Sequence, residues 1–297
     1  MEEMEIRLRT LTPIWTGGVD QTPDRLHETG LIGSLRWWYE ALVRGLGGYA
    51  CDPTSDDRCP GKDGNRCVAC ELFGCTGWGR KFRLQVLNMD GKVIMDALKK
   101  NIVFQLQFVE LRPIKDEEKW LLANAVEIAA RYGSLGGRTA LKPQRRTKVG
   151  DDYGIVDLIQ RTKVASDHQS VESYLKDLKW RQTISVLPDL RWFFFIDRTF
   201  LRRNQINFLI GLSENGKLIV GEEEYQKFLR GQRGGKVGGK ERPAISKKVF
   251  SFRVNGGRIW GYARDKKMLD IIVMMISKML GSGPFTVKTG EEVLNEF

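Results

Sequence analysis

Histidine is scarce in this 297-residue chain: His27 and His168 are the only two. That leaves little room for paired histidine acid–base or histidine-ligated metal chemistry. Long apolar runs are missing too. The longest, Trp192–Ile196 and Ile271–Ile276, fall far short of the roughly 20 residues that span a bilayer. Met1–Leu11 holds three glutamates and no apolar core, so no secretory signal is expected. A soluble, cytoplasmic protein without a membrane partner is the expectation. Cysteine is confined to one window of 25 residues, from Cys51 to Cys75. No internal repeat is visible, and nothing is low in complexity except two glycine-rich loops. Acid is in deficit: 37 Asp and Glu stand against 48 Lys and Arg, giving a net charge of +11 and a pI of about 9.4. Such a surplus favours a polyanionic partner.

The surplus is concentrated. Gly133–Gly150 carries Arg138, Lys142, Arg145, Arg146 and Lys148 with no acid, and four glycines and Pro143 exclude regular structure through it. Lys227–Lys248 carries eight basic residues, Arg233, Lys236, Lys240 and Arg242 among them, against Glu241 alone. Five of the nine residues from Gly231 to Gly239 are glycine. Glycine lets main-chain N–H groups approach phosphates closely, and arginine adds forked donors.

Periodicity supplies the elements. Glu5–Leu11 alternates as a half-buried strand with a basic polar face. Thr29 can cap a helix to about Gly45, with Leu31, Leu35, Trp38, Leu42 and Leu46 on one face and Arg36, Glu40 and Arg44 on the other. Phe82–Leu87 and Ile102–Leu111 read as strands. Asp116 opens a helix to about Tyr132, and Ile155–Ile159 is a short apolar run. The order is β-α-β-β-α-β, the ferredoxin-like (RRM-like) arrangement. In the second half, Leu175–Trp180, Leu201–Leu212, Glu222–Gln232 and Lys266–Leu280 read as helical. Thr183–Leu187 and Trp192–Ile196 read as extended, and Val249–Val254 with Arg258–Ala263 reads as a hairpin around Gly256-Gly257. The expected fold is α+β: two ferredoxin-like domains, the second degenerate, covering residues 1–162 and 163–297.

Cys67-Val-Ala-Cys70 has the spacing of zinc ligands, and four thiolates close a tetrahedral structural site. The expected set is Cys59, Cys67, Cys70 and Cys75. Disulfides are the alternative. No cofactor beyond a structural zinc is expected.

Four stretches then resemble a known family: Leu11-Thr-Pro-Ile-Trp-Thr-Gly-Gly18, Glu28-Thr-Gly-Leu-Ile-Gly-Ser-Leu-Arg-Trp-Trp-Tyr-Glu40, Cys70-Glu-Leu-Phe-Gly-Cys-Thr-Gly-Trp-Gly-Arg-Lys-Phe-Arg83 and Leu135-Gly-Gly-Arg-Thr139. They are similar to the RAMP superfamily of CRISPR effector subunits, within it the first RAMP subunits of type III-B (Cmr) RNA-silencing complexes. The second half matches only through Gly239-Lys-Glu-Arg-Pro243. The resemblance implies two ferredoxin-like domains, a glycine-rich RNA-binding loop and no catalysis of its own. It also implies a place at the guide-RNA 3′ end among the other Cmr subunits, with single-stranded target RNA as a second partner and antiviral defence as the role. One departure is that Ala140–Arg146 stands where the family's loop runs through an arginine-rich stretch into Gly-aromatic-Gly.

The residues expected to contact RNA are Trp15, Arg36, Arg80, Arg83, Arg138, Lys142, Arg145, Arg146, Arg233, Lys236, Lys240 and Arg242. The cations would hold phosphates without reading sequence. Trp15, between two turns, would stack on a base; Trp38 belongs to the core, and Trp37 is more readily buried beside it. The alternative is a RAMP endoribonuclease using His27, or Asp20 with Asp24.

Overall fold

The structure is a computed structural model. It describes residues 4–17, 25–139, 152–181, 188–232, 234–237, 240–242 and 244–297. The chain forms two compact units. The first runs from the N-terminal segment to Gly137, resumes at Tyr153–Arg191 and closes with Glu291–Phe297; the second consists mainly of Trp192–Gly290.

The first unit contains β1 (Met4–Thr10), α1 (Glu28–Gly45), α2 (Val68–Phe73), β2 (Phe82–Leu87), β3 (Val103–Glu110), α3 (Asp116–Arg131), β4 (Val156–Arg161) and α4 (His168–Leu175). Its antiparallel sheet has the order β2-β3-β1-β4, which is the ferredoxin-like topology. Strict alternation divides each strand between two faces. Ile6, Leu8, Phe82, Leu84, Val86, Phe104, Leu106 and Phe108 are buried on the helical side. A chain of edge-to-face rings, Tyr39–Phe73–Phe82–Phe108, with centroids 5.2–5.4 Å apart, ties α1 and α2 to the sheet. The residue capping α1 is His27 rather than Thr29, and the His27 N–H donates to Thr16 Oγ1 at 2.9 Å. Gly30 then passes so close to the Thr16 carbonyl that a Cβ would sit 2.3 Å from its oxygen. The three acids that open α3, Asp116, Glu117 and Glu118, suit a helix N-terminus.

The second unit contains β5 (Phe193–Asp197), α5 (Arg203–Leu209), α6 (Glu224–Arg230), the hairpin β6 (Gly235–Val237) and β7 (Lys240–Arg242), β8 (Val249–Phe252), β9 (Arg258–Tyr262), α7 (Lys266–Leu280) and β10 (Thr286–Thr289). A short helix, α8 (Gly290–Leu294), follows. The sheet order β10-β5-β9-β8 repeats the topology of the first unit. The departure from regularity is local: α5 and α6 share the place of the first helix, and β6–β7 is inserted. Met268, Leu269, Ile272 and Ile276 of α7 pack with Phe194, Ile196 and Ile259. Phe193, Phe195, Phe250, Trp260 and Tyr262 form a stacked and buried ladder.

The expected boundary at 162/163 falls about thirty residues before the structural one. The segment after β4 packs back on α3, where Tyr174 Oη donates to Glu118 Oε1 at 3.0 Å. In place of a helix over Leu175–Trp180 the structure has α4, started by Asp167, whose carboxylate accepts from Ser170 N–H at 2.8 Å. Thr183–Leu187 lies outside the described residues. No helix among the described residues is long and apolar enough to cross a membrane.

Glu118 is fully buried beneath this packing. Lys81 Nζ lies 2.9 Å from both its oxygens and 2.9 Å from Glu71 Oε1. Removing one partner of a buried pair strands the other charge. Lys81→Met should therefore cost about 3–5 kcal/mol in urea unfolding, whereas Lys176→Ala, at the exposed Lys176–Glu172 pair, should cost less than about 1 kcal/mol.

Candidate functional site: cysteine centre and basic surface

The Cys-rich insertion between α1 and β2 folds onto the charged side of α1. That side is not solvated. Glu40 and Arg44 are buried, with Arg36 partly so. Arg44 donates to the carbonyls of Ala50, Cys51 and Pro188 at 2.8–3.0 Å. Arg36 donates from Nε to Glu40 at 2.7 Å, from Nη1 to the Gly74 carbonyl at 2.9 Å and from Nη2 to Cys70 Sγ at 3.2 Å. Burial works against the Arg36 charge, but Glu40 and Cys70 outweigh it and its pKa is raised. Burial also raises the Glu40 pKa, although Arg36 and Arg44 oppose it.

The Sγ atoms of Cys51, Cys59, Cys67 and Cys70 all lie within 4.8 Å of one another, and all four residues are buried. Cys51 and Cys70 sulfurs are 3.5 Å apart; a tetrahedron with Zn–S near 2.3 Å has S···S edges of about 3.8 Å. Main-chain N–H groups of Cys51, Cys67 and Cys70 point at cluster sulfurs at 3.3–3.4 Å, and Arg181 Nη1 approaches Cys59 Sγ at 3.9 Å. Hydrogen bonding with Cys51 and Cys67 drives the Cys59 thiol far below the usual range, while contact with Cys51 pushes Cys67 and Cys70 far above it. Four sulfurs this close need a shared cation or retained protons. The group fits a tetrahedral metal ion. It differs from the expected set in one member: Cys51, sixteen residues before Cys67, takes the place of Cys75. Cys75 lies past α2, partly exposed, in a turn where it pairs through its main chain with Trp78.

The expected RNA contacts divide. Trp15 is only 7% exposed. Its ring meets Tyr153 edge-on at 5.8 Å, and its carbonyl accepts from Gly137 N–H at 2.7 Å. A Cβ on Gly136 would sit 2.5 Å from that carbonyl oxygen. Trp15 therefore anchors the foot of the glycine loop and is not an exposed stacking ring. Arg36, with every donor nitrogen engaged inside, braces the cysteine centre. Arg80 is half-buried, its Nε on the Phe82 carbonyl at 2.7 Å. Arg83 is exposed, and its side chain has no hydrogen bond or acid partner among the described residues. Arg138 is exposed in a left-handed conformation, φ 56°. Lys142, Arg145, Arg146 and Arg233 lie outside the described residues, as do Asp20 and Asp24 of the alternative. Lys236 lies in β6, and Lys240 and Arg242 in β7.

The open face of the first sheet adds residues that stand outside the sequence motifs. Arg7, Arg9, Gln85, Gln105 and Gln107 alternate with the buried strand positions beside Arg83. Arg7 is oriented by Gln105 and Gln160 at 3.2 and 3.3 Å. The basic alternation of β1 was the signal for them. No aromatic residue stands among these face positions.

Two ferredoxin-like units in tandem, the first with a buried cysteine centre and a glycine loop after its second long helix, define the class. The sequence model of the RAMP superfamily matches residues 7–141, almost all of them within the first unit. No curated protein matches the chain in sequence. Among solved structures, apo Cmr1 from Pyrococcus furiosus is similar with a TM-score of 0.50 at 12% identity, over 98% of this chain and 100% of that one. A chain of the type III-B Cmr-beta complex bound to cognate target RNA gives 0.51 at 12% identity, over 94% and 99%. A chain of the same kind of complex with AMPPnP, in the presence of ssDNA, gives 0.52 at 10% identity, over 94% and 100%. These likenesses establish a shared two-unit fold.

The burial of Trp15 has a measurable consequence. Trp15→Ala should lower the unfolding free energy by about 3–5 kcal/mol in denaturant titration; an exposed stacking ring would cost within about 0.5 kcal/mol.

Proposed function

We propose that the protein is a non-catalytic, single-stranded RNA-binding subunit of a type III-B CRISPR effector, seated at the guide-RNA 3′ end and aiding target RNA binding. One observation carries the reading: a first unit matched by the RAMP model and a second ferredoxin-like unit lie in one chain, an arrangement shared almost end to end with a chain of the Cmr-beta complex bound to cognate target RNA. The charge supports it. The net charge is +11, and Arg138 stands exposed where the basic loop leaves its glycine collar. Contacts of this kind grip phosphates whatever the base, as a subunit serving many guides requires.

Fluorescence anisotropy of a labelled single-stranded RNA tests this. Arg138→Ala combined with Arg145→Ala should weaken binding equally across unrelated sequences, and should reduce the slope of log affinity against log salt by about 0.7 for each phosphate that is no longer neutralised. Unchanged affinity and slope would remove the loop from the mechanism. The same samples run on a denaturing gel should show intact RNA. Cleavage abolished by His27→Ala, or by substitution of Asp20 and Asp24, would replace the reading with the nuclease one.

Cys51, Cys59, Cys67 and Cys70 would hold a structural zinc, since four buried thiolates leave no open coordination position for chemistry. Inductively coupled plasma mass spectrometry should find about one zinc per chain. Cys51→Ser should lose the metal and stability together, while Cys75→Ser should keep both.

A further inference from the structure

The turn after α2 builds a feature that neither glycine loop supplies. Gly74 and Gly77 take left-handed φ values of 87° and 76°. Cys75 and Trp78 exchange main-chain hydrogen bonds of 2.9 Å, and the Trp78 Nε1–H donates to the Glu71 carbonyl at 3.1 Å. The indole is thereby fixed while still partly exposed. Two guanidinium groups lie over it, with the Cζ of Arg66 3.7 Å and that of Arg112 4.0 Å from the ring centroid. Arg66 is tied to Glu71 at 3.2 Å. Arg112 is pinned by a hydrogen bond from its Nη2 to the Gly79 carbonyl and has no acid partner among the described residues.

Two more arginines, Arg80 and Arg83, have no carboxylate partner among the described residues and lie near it along the main chain. The Arg112 N–H donates to the Lys81 carbonyl at 3.1 Å, which places Arg112 at the end of edge strand β2 next to Arg80 and Arg83. A guanidinium held over an indole on one side keeps its other side, together with its remaining edge donors, for a ligand. A flat cationic face next to further phosphate-binding arginines matches an unpaired base within a strand, because bases stack on arginine planes as they do on aromatic rings. An acidic peptide would use the charge and leave the plane without a role.

We propose that Arg112, held over Trp78 and bonded to the Gly79 carbonyl, stacks an unpaired RNA base on its outer face while Arg80 and Arg83 hold the flanking phosphates. The proposal rests on the RNA-binding reading above and adds a base contact to it. Stacking tolerates every base, so the contact is compatible with sequence-blind binding.

The test uses the full chain with two labelled strands of equal length, an oligoadenylate and an abasic ribose-phosphate strand, and the variants Arg112→Ala and Arg112→Lys. Lysine keeps the charge and a donor but has no plane. Both variants should weaken oligoadenylate binding by about tenfold, and Arg112→Lys should leave the abasic strand within about twofold of the native protein. Thermal melting separates this loss from misfolding. Should Arg112→Ala melt early, Arg112→Lys, which retains a donor for Gly79, decides alone. Native-like oligoadenylate binding by Arg112→Lys overturns the stack and leaves a charge contact, as an acidic protein partner would also use. Failure of the native protein to bind either strand overturns the RNA reading itself, and the stack with it.

Discussion

Four sulfur atoms within 4.8 Å of one another cannot all carry charge unless positive groups converge on them, and much of the first unit is arranged to meet that demand. Arg36 turns a donor inward to Cys70, Arg181 approaches Cys59, and Arg44 ties down the adjacent carbonyls of Ala50 and Cys51. Arg36 and Arg44 are held in turn by Glu40 and by main-chain carbonyls. The insertion therefore seats on the charged side of α1, and α1 ends up buried on both sides: apolar against the sheet, ionic against the cysteine loop. A second buried ionic group, Lys81 with Glu71 and Glu118, lies at the other end of α2. Between them α2 is held with little freedom, and the turn that carries Trp78 leaves from its C-terminal end at Gly74.

Close backbone approach fixes the two feet of the glycine loop in the same way. A Cβ on Gly133 would lie 2.1 Å from the Trp38 ring, and one on Gly154 would lie 2.0 Å from the Leu135 carbonyl oxygen. Leu135 N–H bonds to the Gly154 carbonyl at 2.8 Å, and Gly154 N–H to that of Pro13 at 2.8 Å. These contacts draw the two feet of the loop together in a collar with no space for side chains. The glycines at 133, 136 and 154 thus serve packing. The approach of main chain to phosphate, which glycine richness suggests, would fall to the residues beyond the collar.

Elements with a strong period were legible from sequence: β1, α1, β2, β3, α3 and the β8–β9 hairpin all follow from alternation or from 3.6-residue spacing, because burial on one face is what sets those periods. Much of what failed depended on contacts distant in sequence. Cys51 joins the cluster because α1 ends at Gly45 and turns the chain back over its own charged side. Spacing alone favours Cys75, which lies only five residues past Cys70. Arg36, Glu40 and Arg44 show the i, i+4 ladder of a solvated face, and nothing local reveals that an insertion covers it. β10 carries one apolar residue in Thr-Val-Lys-Thr and exists through its pairing with β5. The unit boundary moved because Tyr174 reaches Glu118, fifty-six residues earlier.

A basic composition is therefore weak evidence about any single arginine, and the internal partners of each one carry more. Arg36 and Arg44 have their donors committed inside the fold, and replacing either would disturb the cysteine centre before it touched a ligand. Among the described residues, the side chains of Arg80 and Arg112 bond to carbonyls and rings alone, and that of Arg83 to nothing. A phosphate that reaches them displaces water and no carboxylate, so the charge–phosphate attraction is not offset by breaking an ion pair. Pinning adds to this: an arginine already bonded to a carbonyl and lodged over a ring loses little conformational entropy when it binds, which is the advantage of a preorganised donor. On the proposed RNA-binding reading, the arginines of the first unit best suited to phosphate are those at the sheet's open face and its β2 edge, Arg83 and Arg80 with Arg112. The arginines nearest the cysteine sulfurs, though equally basic in sequence, spend their donors on the scaffold: Arg36 on Cys70 and Arg44 on the carbonyls of Ala50 and Cys51.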